Sequence, residues 1–252
     1  MDRIYLILAT LFFAGSFCYA IVCLRSGSYR HSWWNFAAMG VGFVFQTMFL
    51  ASRGAVHGRC PVTNLIEKLI FVSWAMVGIY LLVGRTYRLS LMGVFTAPLA
   101  FLFCLAALFV PFDAEVARAV AAQRGESDPW TEFHIGISLL AYGSFGMAFV
   151  AGLMFLLQER QVRRGTLKTL FYNLPPMQNL ATAVVRLLLV GVVLMAAGIA
   201  SAHVIKASGD PHPIWPLYVI WFGYAAFCGT VLLRGMAPRS LARGAVAAFA
   251  LP

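Results

Sequence analysis

AVVRLLLVGVVLMAAGIASAHVI, residues 183–205, decides what kind of protein this chain is. Arg186 is its only charged side chain, and the apolar residues occupy every side of a helical projection. A surface helix of a soluble domain keeps one polar face. About 20 mostly apolar residues are what a helix needs to cross the hydrocarbon core of a bilayer. Outward from this run, six more stretches meet that length: 4–24, 33–51, 65–83, 89–110, 133–157 and 214–233. A last run, 241–251, is apolar but about half as long as a span requires. In lipid every backbone N–H and C=O must be satisfied within the segment, so these runs are predicted helices. The expected architecture is an all-α polytopic transmembrane bundle of seven full spans and a partial eighth, one integral-membrane unit over 1–252. Gly40, Gly42, Gly143 and Gly146 fall inside spans, where small residues mark close helix contacts.

The composition agrees. The 252 residues are 61% hydrophobic and 11% charged, against roughly 25% charged in a soluble domain, and mean hydropathy is +0.82. Too few charges remain to coat a water-facing exterior, which excludes a soluble enzyme, a disordered tail and a nucleic-acid-binding domain. The formal charge of +10 then reflects loops, since Lys and Arg collect on the cytoplasmic side. Segment 158–182 holds Arg160, Arg163, Arg164 and Lys168 against Glu159, and Arg234, Arg239 and Arg243 follow the seventh span. Arg25, Arg30, Arg85 and Arg88 fall on the same side when spans alternate. Across the membrane, segment 110–132 carries Asp113, Glu115, Glu126, Asp128 and Glu132 against Arg118 and Arg124. The N-terminus is therefore expected outside. Arg53 and Arg59 dissent from this pattern. The first stretch lacks a basic leader and a small-residue cleavage site, so it reads as a span and not as a removed signal peptide.

The five cysteines (Cys18, Cys23, Cys60, Cys104, Cys228) form no CxxC pair, and no disulfide framework is implied. The topology sends His57, His134, His203 and His212 to the outer side and His31 to the inner. His134 opens the fifth span just after Trp130; His203 closes the sixth, and His212 precedes the seventh. A neutral imidazole can hold a haem iron axially; interfacial histidines more often simply hydrogen-bond headgroups or loops. Trp33, Trp34, Trp130, Trp215 and Trp221 suit an aromatic belt near span ends. Glu67 and Lys68 enter the third span one turn from its outer end, as a functional pair or as mutually neutralising charges. Gln46, near the middle of the second span, must find a polar partner. Arg186 is expected to snorkel to the inner interface.

Three strings carry a resemblance. RGAVHGRCPVTNLIEKLIFVSW, residues 53–74, resembles the cytochrome c assembly family of CcsA/ResC type, where an arginine precedes a proline by eight residues and a GHFPLSNLYESL-like string follows. Arg53, Gly58, Pro61, Asn64, Leu65, Glu67, Leu69, Phe71, Ser73 and Trp74 fit. WTEFHIGISLLAYGSFGMAFVAGLMFLLQER, residues 130–160, is similar to the family's histidine-led span, through His134, Ser138 and Tyr142. LATAVVRLLLVGVVLMAAGIASA, residues 180–202, looks like its arginine-led span. Together they cover most of 40–235 in the family's order.

The departures matter as much. The family's tryptophan-rich external loop and WDPKExW string are reduced to Asp210, Pro211, Trp215 and Leu217, with His212 and Pro213 in place of Lys-Glu. Gln46 stands where the second span often carries a histidine, and Cys228–Gly229 where another would lie. A second external histidine follows the family's eighth span, and Pro252 comes before that position. The pattern is closer to the shorter HemX-like and YpjD-like branches.

The resemblance implies a multi-pass protein of a bacterial inner membrane that catalyses no reaction itself. It would bind or present haem b at the outer face, for other assembly proteins to attach to apocytochrome c. His134 is the expected axial ligand, with His212 ahead of His203 as the second, and Trp130, Asp210 and Trp215 shape the pocket. The alternative it implies is a HemX-like scaffold or regulator of haem synthesis or cytochrome assembly that binds no haem. Its docking surface would be the basic segment 158–182.

Overall fold

The computed structural model describes residues 2–26, 33–57, 65–86, 92–109, 129–164, 176–207 and 215–250. These form eight helices: α1 (Asp2–Ser26), α2 (Trp33–His57), α3 (Leu65–Thr86), α4 (Met92–Phe109), α5 (Pro129–Arg163), α6 (Met177–Ala207), α7 (Trp215–Arg234) and α8 (Pro238–Ala250). Among the described residues, α1, α2, α4, α5, α6 and α7 are each long and apolar enough to cross a membrane. Helix α3 has 22 residues, about 33 Å of rise. The chain is an all-helical, multi-pass membrane protein. The expected eighth element exists as a 13-residue helix, about 20 Å long and short of the ~30 Å hydrocarbon core.

Helices α5 and α6 are among those that outrun their apolar stretches. Helix α5 has 35 residues, about 50 Å, because the polar sequence QERQVR that follows the span is rich in good helix formers. Glu159 and Arg163 are paired there at 2.9 Å with i,i+4 spacing. Helix α6 starts at Met177, so its first turns precede the stretch that marks the span.

Helix α5 is the hub. It packs on α3, α4, α6 and α8, while α1 packs on α2 and α4. A Cβ added at Gly143 would collide with Ala75 of α3, and one at Gly146 would meet Met76 Sδ at 2.8 Å. The two glycines, one turn apart, thus let the α3 and α5 backbones approach. Nearly two turns further, a Cβ at Gly152 would reach the Ala242 carbonyl of α8 at 3.0 Å. Gly191 of α6 receives the Phe145 ring, which stacks on Tyr224 of α7 at 3.8 Å between centroids. Ser144 Oγ also donates to the Leu187 carbonyl at 2.7 Å. Of the spans marked by composition, Gly42 is close against Phe13, whereas Gly40 has open space around it.

Helix α7 lies at the edge, tied by the Trp221 indole N–H to the Val192 carbonyl at 3.1 Å and by Tyr224 Oη–H to the Ala248 carbonyl at 3.0 Å. Trp221 is therefore an inter-helix contact inside the bundle, while Trp33, Trp34, Trp130 and Trp215 are exposed as a belt would have them. Helix α8 runs antiparallel to α5: Arg239 lies by Glu159, Ala242 by Gly152 and Phe249 by Phe149.

Overpacking costs about 1–3 kcal/mol. Gly146→Val is therefore expected to lower the unfolding temperature of the purified protein in detergent. Gly223→Val, at a position with nothing within 4 Å, is expected to leave it nearly unchanged. Equal effects at the two sites would remove the case for an α3–α5 contact set by glycine.

Candidate functional site

Antiparallel pairing gathers several chemically distinctive side chains at one end of the bundle. These are the end of α2, the start of α3, the start of α5, the end of α6 and the start of α7. Arg53, Glu67, His134, His203 and Trp215 all fall there. Pro61, Asn64, Asp210 and His212 lie outside the described residues, as does the acidic segment before Pro129.

Arg53 of α2 and Glu67 of α3 form a buried ion pair. Both Arg53 Nε, at 3.0 Å, and a terminal guanidinium nitrogen donate to Glu67 Oε1. The side chains are 4% and 0% exposed. Glu67 is thus paired with Arg53 across two helices, while its sequence neighbour Lys68 points outward. This also accounts for one of the two arginines that contradicted the loop-charge pattern. Arg53 is an interior residue neutralised by a carboxylate, so it belongs to no loop. Below the pair, Gln46 Nε2 donates to the Ile70 carbonyl at 3.1 Å and reaches Cys104 Sγ at 3.6 Å. Its Oε1 is buried with no partner. Trp74 closes the α2–α3 interface, donating to Thr47 Oγ1 at 2.8 Å and stacking on Phe43 at 5.3 Å.

His134 sits in the first turns of α5 and faces α6. Its Nδ1 is 2.8 Å from the Gly198 carbonyl and 3.2 Å from Ser201 Oγ. A carbonyl only accepts, so Nδ1 carries the proton and Nε2 keeps its lone pair. Ser201 Oγ–H donates to the same Gly198 carbonyl at 2.7 Å, which fixes the hydroxyl in its place beside the ring. Gly198 lies close against α5: a Cβ there would meet Ser138 Oγ at 2.8 Å. Packing of Ala75 on Gly143 and Met76 on Gly146, with α3 and α5 running the same way, puts Glu67 about level with the turn that follows His134.

His203 is used differently. It lies two residues past Ser201, about 200° further around α6 at 100° per residue. It therefore faces α7 and not α5. Its Nδ1 donates to the Ile199 carbonyl of its own helix at 2.9 Å, so Nε2 must accept from the Tyr218 hydroxyl, also at 2.9 Å. His134 and His203 thus occupy opposite flanks of α6 and do not face each other. Trp130 is half-exposed and edge-on to Phe133 at 6.3 Å. Trp215 is exposed, and Tyr142 lies deeper in α5, edge-on to Phe145 at 6.4 Å. Among the described residues no three His, Cys, Asp or Glu side chains converge.

Sequence reasoning singled out His134 but not Gly198 and Ser201, which hydrogen-bond its ring. Their only signal is the small-residue run AAGIASA, which reads equally as a packing surface.

Removing one partner of a buried ion pair costs roughly 3–5 kcal/mol, whereas replacing both by apolar groups is often close to neutral. Glu67→Gln and Arg53→Met are each expected to lower unfolding temperature strongly, and the Arg53→Met, Glu67→Leu double variant to recover most of the loss. Additive losses in the double variant would show that the two side chains act independently.

The model of the family described as "Cytochrome C assembly protein" matches residues 62–204. "Protein HemX" of Brevibacillus brevis is 26% identical over 164 residues, 65% of this chain and 59% of its own length. "Cytochrome c biogenesis protein CcsA" of Trichormus variabilis is 27% identical over 125 residues, 49% of this chain and 35% of its own length. The protein of that same name from Prochlorococcus marinus (strain MIT 9215) is 26% identical over 230 residues, 81% of this chain and 74% of its own length. The chain thus spans between about a third and three-quarters of these relatives. The matched segment runs from just before α3 to the end of α6 and includes Glu67, His134, Gly198, Ser201 and His203: the chain belongs to the cytochrome c assembly protein family.

Proposed function

We propose that this chain is a membrane protein of cytochrome c biogenesis that binds or presents haem b at the outer membrane face through the His134 imidazole. The observation that carries the reading is the orientation of His134. Its Nδ1–H is spent on the Gly198 carbonyl and Ser201, which leaves Nε2 as the nitrogen with a lone pair. Ligating histidines are held this way, the second ring nitrogen donating to a carbonyl that fixes tautomer and ring plane. Bound haem would bring an iron that takes axial nitrogen and vinyl groups that a partner can join to apocytochrome cysteines. The chain itself holds and orients, and catalyses no reaction. His212 is the second ligand ahead of His203, since His203 would have to give up the Tyr218 hydroxyl to bind iron. Under this reading Trp130, Trp215 and Asp210 are the further residues assigned to shaping the haem pocket.

The partners under this reading are other cytochrome c assembly proteins and apocytochrome c, met at the outer face of a bacterial cytoplasmic membrane. Seven spans with the N-terminus outside bring the His134 end of the bundle to that face. The arginine-rich ends of α5, α7 and α8 support this orientation, as does the burial of Arg53 in an ion pair. The similarity to proteins named HemX favours one other reading, a scaffold or regulator of haem synthesis or cytochrome assembly that keeps the fold and holds no haem.

Absorbance separates the two. Protein purified from cells supplied with haem is expected to show a Soret band that His134→Ala largely removes and that His134→Gly regains with added imidazole. Ser201→Ala is expected to weaken haem affinity roughly tenfold, as loss of an orienting hydrogen bond does. His203→Phe should keep the band. A chain that retains no haem under any expression condition would leave the scaffold as the function.

A further inference from the structure

Inside the bundle, three polar side chains from three helices meet in an apolar interior: Gln46 of α2, Ser73 of α3 and Cys104 of α4. All three are buried, at 0%, 1% and 0% exposure. Gln46 Nε2 donates to the Ile70 carbonyl at 3.1 Å and lies 3.6 Å from Cys104 Sγ. Ser73 is one turn on from Ile70, on the same stripe of α3. Its side chain approaches the same thiol from that helix. Gln46 and Ser73 therefore flank one sulfur.

Two oxygens at this junction have no hydrogen-bond partner in the protein, Gln46 Oε1 and Ser73 Oγ. Flipping the amide does not help Gln46. A carbonyl only accepts, so the nitrogen must face Ile70, and the flip would set two acceptors against each other. Hydroxyls elsewhere in the spans are satisfied locally. Thr10, Thr96 and Thr182 donate to the carbonyl four residues earlier, at 2.7, 2.9 and 2.9 Å. Ser73 makes no such bond.

A polar atom left bare in a bilayer interior is costly, and buried waters bond to just such otherwise unsatisfied groups. The two oxygens suit a water, because Oε1 needs a donor and the hydroxyl has a proton to give. Two side-chain oxygens and one thiol fall short of the oxygen cage that a hard cation takes. The carboxylate of α3, Glu67, is committed to Arg53. An anion would meet the Gln46 oxygen, itself an acceptor.

We infer that one ordered water molecule is bound between α2, α3 and α4, donating to Gln46 Oε1, accepting from the Ser73 hydroxyl and touching the Cys104 thiol. It ties α2 to α3 a second time, about 10 Å inward of the Arg53–Glu67 pair, and draws α4 into the same network. The site is independent of haem.

Solid-state NMR of the full chain in phospholipid bilayers, with its glutamines labelled with nitrogen-15, tests the site through magnetisation transfer from water protons. The Gln46 side-chain amide is assigned by its loss in Gln46→Leu. The expected result is transfer from water to the Gln46 amide in the unaltered chain, despite its complete burial. Ser73→Val, which removes the hydroxyl and fills the space beside it, should abolish that transfer. Ser73→Ala should lower the unfolding temperature by about 2–4 °C, the shift that loss of one hydrogen bond gives in a chain of this size. A bare hydroxyl would instead leave it unchanged or raise it. If Ser73→Val does not fold, the unaltered chain and Ser73→Ala decide. Absence of transfer to Gln46, transfer unchanged in Ser73→Val, or a Ser73→Ala protein as stable as the original would each overturn the site. So would a transfer that vanishes when sodium and potassium are replaced by a large organic cation, since a metal ion would then be the occupant.

Discussion

Close approach of helix backbones at α5 is the constraint on which the rest of the bundle depends. In lipid there is little hydrophobic gain from joining two apolar helices, so contact depends on dispersion at short range and on inter-helix hydrogen bonds. Helix α5 supplies both. Gly143 and Gly146 admit α3, Gly152 admits α8, and Phe145 fills the space offered by Gly191 while stacking on Tyr224. Ser144 adds a hydrogen bond to an α6 carbonyl. Every other described helix either packs on α5 or packs on a helix that does.

That arrangement also sets the chemistry. The parallel contact of α3 with α5 brings the buried Arg53–Glu67 pair about level with His134. The antiparallel contact of α5 with α6 puts the Gly198 carbonyl against the imidazole. A charge buried without its partner is costly in a membrane interior, so the ion pair locks α2 to α3 in one register. The His134 hydrogen bonds do the same for α5 and α6. One end of the bundle is consequently rigid and polar inside. The other end holds an apolar groove and carries arginines at several helix ends.

Much of this was legible in the chain itself. Periodicity and hydropathy placed the helices because lipid allows nothing else to cross, and three of the four span glycines singled out do mark close contacts. What composition and spacing leave open is which helix faces meet. Glu67 beside Lys68 reads in sequence as a functional pair or as mutually neutralising charges, yet i and i+1 side chains on a helix diverge, and the carboxylate turns to Arg53. His203 and His134 do share one end of the bundle, but on opposite flanks of α6. Trp221 looked like a belt residue and is a donor to Val192.

The sequence by itself determined the solvent, the helical class, the family resemblance and the histidine at the head of α5. All of these follow from residue type and spacing along one segment. Only the tertiary structure decided which charge neutralises Glu67, which nitrogen of His134 carries the proton, and that Gln46 reaches Cys104. Those depend on which faces of separate helices meet, and in a bundle that is uniformly apolar, hydropathy does not distinguish one face from another. Small residues and a few buried polar groups make the choice, and their partners lie many residues away in the chain.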